Sequence, residues 1–258
     1  MTSTTKVALV TGGSSGLGKN VVRLLQEKGY KVACLDLMHS ESDLEVIGDV
    51  SQSTHASDVV EKTISRFGRI DAVVSCAGVA LNKFKSTHNT DESDWDRCMN
   101  VNLRGSFLIS KYALPYLIDS KGSLVFIGSV AGMHPQPGSA GYSSSKAGVI
   151  ALSRSIALEY GPLGVRSNCI SPGYMNTEMT SRVRANHHLN EKVTDQIPLG
   201  HMAETSEIAG VVLFLLSMES RFMTGANLIV DGGNCLTSYA DLNDVRKMWK
   251  ISPPADIK

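Results

Sequence analysis

The chain has 258 residues, of which 42% are hydrophobic, and its 25 basic residues balance 25 acidic ones. That length suits one α/β domain with a sizeable core. A formal net charge of zero, with no basic stripe, argues against a nucleic-acid or anionic-membrane partner and favours a small molecule. The five cysteines are far apart and form no C-x-x-C pair, so the sequence predicts neither disulfides nor a zinc site. No apolar run reaches about 18 residues, so we expect a cytoplasmic protein.

Short apolar, β-branched runs alternate with longer amphipathic ones along the chain. Strands are predicted over 7–10, 31–35, 46–47, 72–75, 123–127, 166–171 and 227–230. Helices are predicted over 16–28, 57–67, 92–117 with an interruption at Gly105, 142–160 and 206–216. This alternation predicts a Rossmann-type, doubly wound, seven-stranded parallel sheet with helices on both faces. Within this single domain, 172–200 is expected to be a long irregular lid loop and 236–258 a C-terminal extension.

A glycine-rich turn, Thr-Gly-Gly-Ser-Ser-Gly-Leu-Gly, follows the first strand at 11–18. Glycines let the backbone approach a pyrophosphate, whose charge meets the N–H groups at the start of the next helix. The spacing Gly12-x-x-x-Gly16-x-Gly18 is a variant of the general dinucleotide fingerprint. At the end of the second strand, Asp36 can accept hydrogen bonds from ribose hydroxyls and would repel a 2′-phosphate. The turn and Asp36 therefore predict NAD rather than NADP as the cofactor.

Tyr142 and Lys146 lie four residues apart near the start of a predicted helix, so their side chains share one face. A phenol has a reference pKa of about 10, and a fixed ammonium beside a phenol favours the phenolate. Such a pair is suited to proton transfer. The alternative is an ordinary helix on which a tyrosine and a lysine happen to be four apart, and the motif alone does not separate the two.

With these motifs in this order, from Val7 to about Gly233, the chain resembles the short-chain dehydrogenase/reductase family. It departs from the family at Cys76, where an asparagine usually makes a hydrogen bond within the sheet. The resemblance implies a cofactor site formed by Gly12, Ser14, Ser15, Gly16, Leu17, Gly18, Asp36, Leu37, Asp49, Val50, Cys76, Ala77, Gly78, Tyr142, Lys146, Pro172, Gly173 and Thr177.

The resemblance also implies a catalytic set of Asn102, Ser129, Tyr142 and Lys146. Hydride transfer to a carbonyl carbon builds negative charge on its oxygen, so the reaction needs a hydrogen-bond donor and a proton there. Ser129 would orient that oxygen and Tyr142 would be the general acid or base. Lys146 would also hydrogen-bond the nicotinamide ribose, and Asn102 would hold a water beside it. The expected function is NAD-dependent hydride transfer between NAD(H) and a secondary alcohol or ketone.

Two other functions are compatible with these motifs. An epimerase or dehydratase of the extended type also uses a tyrosine and lysine at this spacing with bound NAD, but the glycine spacing and the absence of a sizeable domain after Gly233 argue against it. A non-catalytic NAD-binding regulator or scaffold would not need the complete catalytic set. No catalytic metal is expected, because the histidines are scattered.

Several residues of the predicted lid and its surroundings have two possible roles. Met175, Met179 and Met202 would line the substrate pocket or pack in the core. His134, Gln136 and Tyr174 would contact substrate or lie in surface loops. The resemblance implies a homotetramer, and the sequence does not indicate which alcohol or ketone is the substrate.

Overall fold

A computed structural model describes residues 5–80 and 85–236 and places seven parallel strands in one sheet. The strands are β1 (Val7–Thr11), β2 (Lys31–Asp36), β3 (Leu44–Ile47), β4 (Ala72–Ser75), β5 (Ser123–Ile127), β6 (Arg166–Pro172) and β7 (Asn227–Val230). Their order across the sheet is β3-β2-β1-β4-β5-β6-β7. The predicted seven-stranded parallel sheet is therefore confirmed. The order changes direction between β1 and β4, and the crevice at such a point is where ligands bind in doubly wound sheets.

Helices cover both faces of the sheet. They are α1 (Gly16–Glu27), α2 (Ser53–Phe67), α3 (Glu92–Cys98), α4 (Gly105–Ser120), α5 (Ala140–Tyr160), α6 (Ser181–Ala185), α7 (His187–Asp195) and α8 (Thr205–Leu216). Neighbouring strand residues point to opposite faces, so Leu9 packs in a core with α2, α4 and α5, while Val10 packs in a second core with α1 and α8. Among the described residues, no helix is both long and apolar enough to cross a membrane.

The long helix predicted over 92–117 is interrupted, but not at Gly105. A π-helical segment, Met99–Arg104, separates α3 from α4, and Gly105 is the first residue of α4. A Cβ on Gly105 would lie 2.8 Å from Val50 Cγ1, so this glycine allows close packing against the loop after β3. π-helical turns are frequent at functional sites, and this one contains Asn102.

The expectation of an irregular lid over 172–200 is wrong in detail. The segment contains a 3-10 turn, Glu178–Thr180, followed by α6 and α7. The Asn186 side chain accepts a hydrogen bond from the Leu189 N–H at 3.1 Å and so caps α7. Neither α6 nor α7 contains a buried residue, which is why no clear hydrophobic period marks them in the sequence. Apart from Leu236, the predicted C-terminal extension lies outside the described residues.

Candidate cofactor and active site

A cavity of about 550 Å³ lies at the carboxyl ends of the central strands. Its size is in the range of small-molecule sites. Every residue predicted to hold the cofactor lines it except Ser14, and Ser129 lines it as well. Asn102 does not line the cavity. Parallel strands end at the same edge of the sheet, which is how residues distant in sequence reach one space.

The glycine turn brings the backbone of β1 and α1 against the segment after β4. Gly12 has φ +74°, and a Cβ there would lie 2.7 Å from Ala77 N. A Cβ on Gly18 would lie 1.9 Å from the Gly12 carbonyl oxygen, so neither position accepts a side chain. The Ser15 side chain makes no capping bond to α1, whose first turn has no acidic residue. The first N–H groups of α1 are thus suited to a pyrophosphate.

Asp36 is held in place at the end of β2. One carboxylate oxygen accepts a hydrogen bond from the Ser14 N–H at 2.9 Å and the other from the Met38 N–H at 3.2 Å. Ser14 therefore contributes through its backbone, by positioning Asp36, rather than by lining the cavity. Each carboxylate oxygen keeps accepting capacity for the hydroxyl groups of a ribose.

Thr11 fixes the segment at which the chain departs from the family pattern. Its Oγ1 accepts hydrogen bonds from the N–H groups of Cys76 and Ala77, both at 3.2 Å. The segment after β4 is thus tied to β1 through its backbone, without an asparagine side chain at position 76. Burial raises the pKa of the Cys76 thiol to about 12, so this cavity-lining thiol is protonated at neutral pH.

Tyr142 and Lys146 share one face of α5, as the four-residue spacing predicts. Lys146 is only 5% exposed, and its Nζ lies 5.8 Å from the centroid of the Tyr142 ring. The same Nζ donates a hydrogen bond to the Ile127 carbonyl at 2.8 Å, which anchors the ammonium to the end of β5. One ammonium hydrogen serves this bond, so the others can be offered to a ligand.

Ser129 follows β5 and is oriented by the backbone. Its Oγ accepts a hydrogen bond from the Ala131 N–H at 3.1 Å. Because the oxygen acts as the acceptor in that bond, the hydroxyl hydrogen can be donated to a substrate oxygen.

Asn102 connects the segment after β4 with α5. Its Oδ1 accepts from the Val79 N–H at 2.8 Å, while its Nδ2 donates to the Val79 carbonyl at 3.0 Å and to Ser145 Oγ at 2.9 Å. The Ser145 hydroxyl in turn donates to the Tyr142 carbonyl at 2.7 Å. Sequence reasoning missed Ser145, because three consecutive serines precede the lysine and only the helix phase distinguishes them.

A gap separates Asn102 from Lys146. A Cβ on Gly78 would lie 3.3 Å from both Asn102 Oδ1 and Lys146 Nζ. The two polar atoms therefore flank the same small volume, which glycine leaves open. Its position and polar neighbours suit a water molecule.

The segment after β6, which is predicted to be a lid, also contributes to the lining of the cavity. Met175, Thr177, Glu178 and Met179 line it, whereas Met202 is 3% exposed and does not. Gln136 Nε2 donates to Tyr174 Oη at 2.8 Å; both residues lie outside the lining. Within the described parts of the chain, no group of three or more His, Cys, Asp or Glu side chains is placed to hold a metal ion.

Comparisons with known proteins agree with this architecture. A family model described as enoyl-(acyl carrier protein) reductase matches residues 12–234. The chain is 34% identical over 242 residues to 3-oxoacyl-(acyl-carrier-protein) reductase FabG of Thermotoga maritima, covering 88% of this chain and 97% of the relative. It is 38% identical over 250 residues to a (3R)-3-hydroxyacyl-CoA dehydrogenase of Mus musculus, covering 88% and 95%.

Solved structures show the same arrangement. Aldohexose dehydrogenase of Thermoplasma acidophilum superposes with a TM-score of 0.85 at 29% identity, over 92% of this chain and 96% of that one. Levodione reductase superposes with a TM-score of 0.84 at 30% identity, over 91% and 98%. Since the family model spans most of the chain and the relatives match over nearly their full length, the chain belongs to the short-chain dehydrogenase/reductase family and is an oxidoreductase.

Proposed function

We propose that the protein transfers hydride between NAD(H) and a secondary alcohol or ketone. The observation that carries this proposal is the convergence of Ser129, Tyr142 and Lys146 on the cavity that Asp36 and the glycine turn also line. When bound there, NAD(H) supplies or accepts the hydride. The glycine turn admits a pyrophosphate because no side chain occupies Gly12 or Gly18 and the Ser15 side chain does not cap the first N–H groups of α1.

Ser129 and Tyr142 act on the substrate oxygen. During reduction, the Ser129 hydroxyl donates a hydrogen bond to the carbonyl oxygen, and Tyr142 gives that oxygen a proton as charge develops on it. During oxidation, the phenolate of Tyr142 takes the alcohol proton. The Lys146 ammonium, 5.8 Å from the ring centroid, stabilises negative charge on the phenol and binds the nicotinamide ribose with its remaining hydrogens.

Asn102 positions the other groups rather than contacting the substrate. Both of its Nδ2 hydrogens are used, on Val79 and Ser145, so its side chain holds the segment after β4 against α5. Its Oδ1 keeps one acceptor site toward the gap at Gly78. A water there would link Lys146 to Asn102 and extend the path by which Tyr142 recovers its proton.

Asp36 supports the choice of NAD. Its carboxylate lies in the cavity with both oxygens already fixed by backbone N–H groups, so it cannot turn away from a 2′-phosphate without losing those bonds. The neighbouring Leu37 and Met38 are both 69% exposed and provide no positive charge for a phosphate.

The activities named for the relatives indicate which substrates to test first. They include (3R)-3-hydroxyacyl-CoA oxidation and acetoacetyl-CoA reduction, while the solved neighbours include an aldohexose dehydrogenase and levodione reductase. We therefore place 3-hydroxyacyl and 3-oxoacyl thioesters first, then cyclic ketones and sugars. Residues 172–200, of which only some between 172 and 179 line the cavity, would act as the lid that selects among them.

The test is absorbance at 340 nm for the wild type and Tyr142→Phe, with NAD⁺ or NADP⁺ for the alcohols of this panel and NADH or NADPH for its ketones. We expect turnover with NAD⁺ and a loss in the variant of about 10³-fold in kcat/KM. NADH binding should fall far less than kcat/KM, which serves as the control for folding. Binding of NAD⁺ without turnover of any substrate would instead favour a regulator, and a higher kcat/KM with NADP⁺ would contradict the assignment of Asp36.

We also propose that the protein works in the cytoplasm as a homotetramer, as its family resemblance implies. Apolar side chains exposed on outer elements, including Phe107, Leu158 and Phe214, support an assembly that covers them. Sedimentation equilibrium at micromolar concentration tests it, and a monomer under those conditions would contradict the proposal.

A further inference from the structure

The loop after β3 forms part of the cavity beside Asp36. Gly48, Asp49 and Val50 all line the cavity. The Gly48 N–H donates to the Asp36 carbonyl at 2.8 Å, and the Asp49 carboxylate accepts from the Ser51 N–H at 2.8 Å. The loop is thus fixed at the edge of the sheet from which Asp36 reaches the cavity. Under the proposed function, this part of the cavity receives the adenosine end of the cofactor.

A histidine behind this loop supports it without lining the cavity. His55 lies in the first turn of α2, and the Asp49 N–H donates to its Nδ1 at 3.0 Å. A backbone N–H can only donate, so Nδ1 is the unprotonated, accepting nitrogen of the ring in this bond. The hydrogen bond fixes the peptide that carries the Asp49 side chain.

The same imidazole occupies the space beside Gly48. A Cβ on Gly48 would lie 2.7 Å from His55 Cγ and 3.0 Å from its Nδ1. Gly48 is not among the described residues with positive φ, so the backbone would accept alanine, and the His55 side chain, chiefly its ring, is what excludes it. His55 therefore contacts the cavity wall in two ways: it accepts a hydrogen bond from Asp49 and it packs on Gly48.

We propose that His55 is a positioning residue for the adenosine half of the cofactor. It acts through Asp49 and Gly48: the imidazole holds the Asp49 peptide so that the Asp49 carboxylate and the Val50 side chain face the ligand. The proposal rests on the proposed function, because it requires a dinucleotide in the cavity. It assigns His55 a role in binding and none in proton transfer.

The experiment tests binding of the two halves of the cofactor separately. Calorimetric titrations with NADH, ADP-ribose and nicotinamide mononucleotide would be compared for the wild type and His55→Ala. We expect the variant to bind NADH and ADP-ribose about five- to tenfold more weakly, the size of one lost hydrogen bond, and nicotinamide mononucleotide as the wild type does. In steady state, KM for NAD⁺ should rise while kcat stays constant.

Two further variants separate this role from simple packing. His55→Asn offers an amide oxygen to the Asp49 N–H and should bind ADP-ribose within about twofold of the wild type. Thr54→Ala changes an exposed residue of the same helical turn and should have no effect. If His55→Asn bound ADP-ribose as weakly as His55→Ala, the hydrogen-bond role would be disproved.

Gly48 provides a double-mutant test. Gly48→Ala should weaken ADP-ribose binding in the wild type because its methyl group collides with the His55 ring. In the His55→Ala background, the same change should cause a much smaller further loss, since the ring is gone and only the Cβ of residue 55 remains close, at 3.0 Å. Additive losses would contradict the proposal.

The titrations can contradict it as well. Normal ADP-ribose binding by His55→Ala would do so, and so would an equal loss of affinity for nicotinamide mononucleotide. A wild type that binds neither NADH nor ADP-ribose would overturn the proposed function and this inference with it.

Discussion

The two walls of the cavity are built differently. The sheet wall consists of the ends of β1, β2, β4 and β5 with the first turns of α1 and α5 and Lys146. Its polar side chains are held by backbone groups: Asp36 by Ser14, Ser129 by Ala131, and Lys146 by Ile127. The lid wall, residues 175–179, leads into helices that contain no buried residue. Groups that move a hydride or a proton need fixed positions, whereas a wall that admits different substrates can vary without disturbing the core.

The lid wall is nevertheless anchored at its start. Met175 pairs with Ala203 in a β-bridge, and Asn176 Nδ2 donates to Glu204 Oε1 at 2.5 Å. Glu204 also caps α8, which packs on the sheet. The start of the lid wall is therefore tied to α8. We expect changes in the sheet wall to affect cofactor binding and chemistry, and changes at Met179, the exposed end of the lid wall, to affect mainly substrate binding.

The largest effect is expected from Lys146→Met, which removes the buried ammonium from the sheet wall. Without it the phenolate of Tyr142 loses its nearest positive charge, and we expect kcat/KM to fall by about 10³-fold. The measurement is initial rate at saturating NAD⁺, with Lys62→Met as the control, because Lys62 is an exposed residue of α2 that pairs with Asp58. A loss below tenfold would show that the ammonium is not part of proton transfer.

The next largest effect is expected from Gly18→Ala. The new Cβ would lie 1.9 Å from the Gly12 carbonyl oxygen, and relieving that overlap costs about 3 kcal/mol. If the overlap is relieved by a shift of the cofactor turn, that free energy is lost from binding, and NADH affinity should drop about 100-fold in a fluorescence titration. Gly210→Ala is the matched control, since nothing lies within 4 Å of a Cβ there. Equal NADH affinity for both variants would contradict this account of the glycine turn.

A smaller effect is expected from Asp36→Ala. Without the carboxylate, the ribose hydroxyls of NAD⁺ lose their hydrogen bonds to a charged group, which should lower kcat/KM with NAD⁺ about tenfold. The 2′-phosphate of NADP⁺ is then no longer repelled, so kcat/KM with NADP⁺ should rise. The ratio of the two kcat/KM values is the measurement, and Asp58→Ala on the surface of α2 is the control. An unchanged ratio would mean that Asp36 does not select the cofactor.

The smallest effect is expected in the lid wall. Met179 is 53% exposed and lines the cavity, so Met179→Ala should raise KM for the substrate about fivefold through lost apolar contact. KM for NAD⁺ and the melting temperature should not change. Met218→Ala, at a residue that is 66% exposed and away from the cavity, should leave all three values unchanged. A rise in KM for NAD⁺ with Met179→Ala would contradict the separation of the two walls.

Local pattern was enough to predict most of the fold. The seven strands and their parallel arrangement follow from apolar, β-branched runs that alternate with amphipathic ones, and the structure confirms them. Local pattern says less about residues 172–200, because α6 and α7 bury no residue and therefore carry no hydrophobic period. It also predicts the helix interruption at Gly105, whereas the π-helical segment precedes that residue.

The sequence by itself determined which chemical groups the protein carries and at which local spacing: the glycine turn, Asp36 after β2, and Tyr142 with Lys146 on one helical face. Only the tertiary structure decided how those groups are held. Asn102 meets Ser145 across 43 residues, and Thr11 meets Cys76 across 65. Helix and strand periods report neighbours within a few residues, whereas these contacts arise where separate strands end at one edge of a sheet. The role proposed for His55 likewise rests on the tertiary structure, because it depends on two contacts with the cavity wall and on no sequence motif.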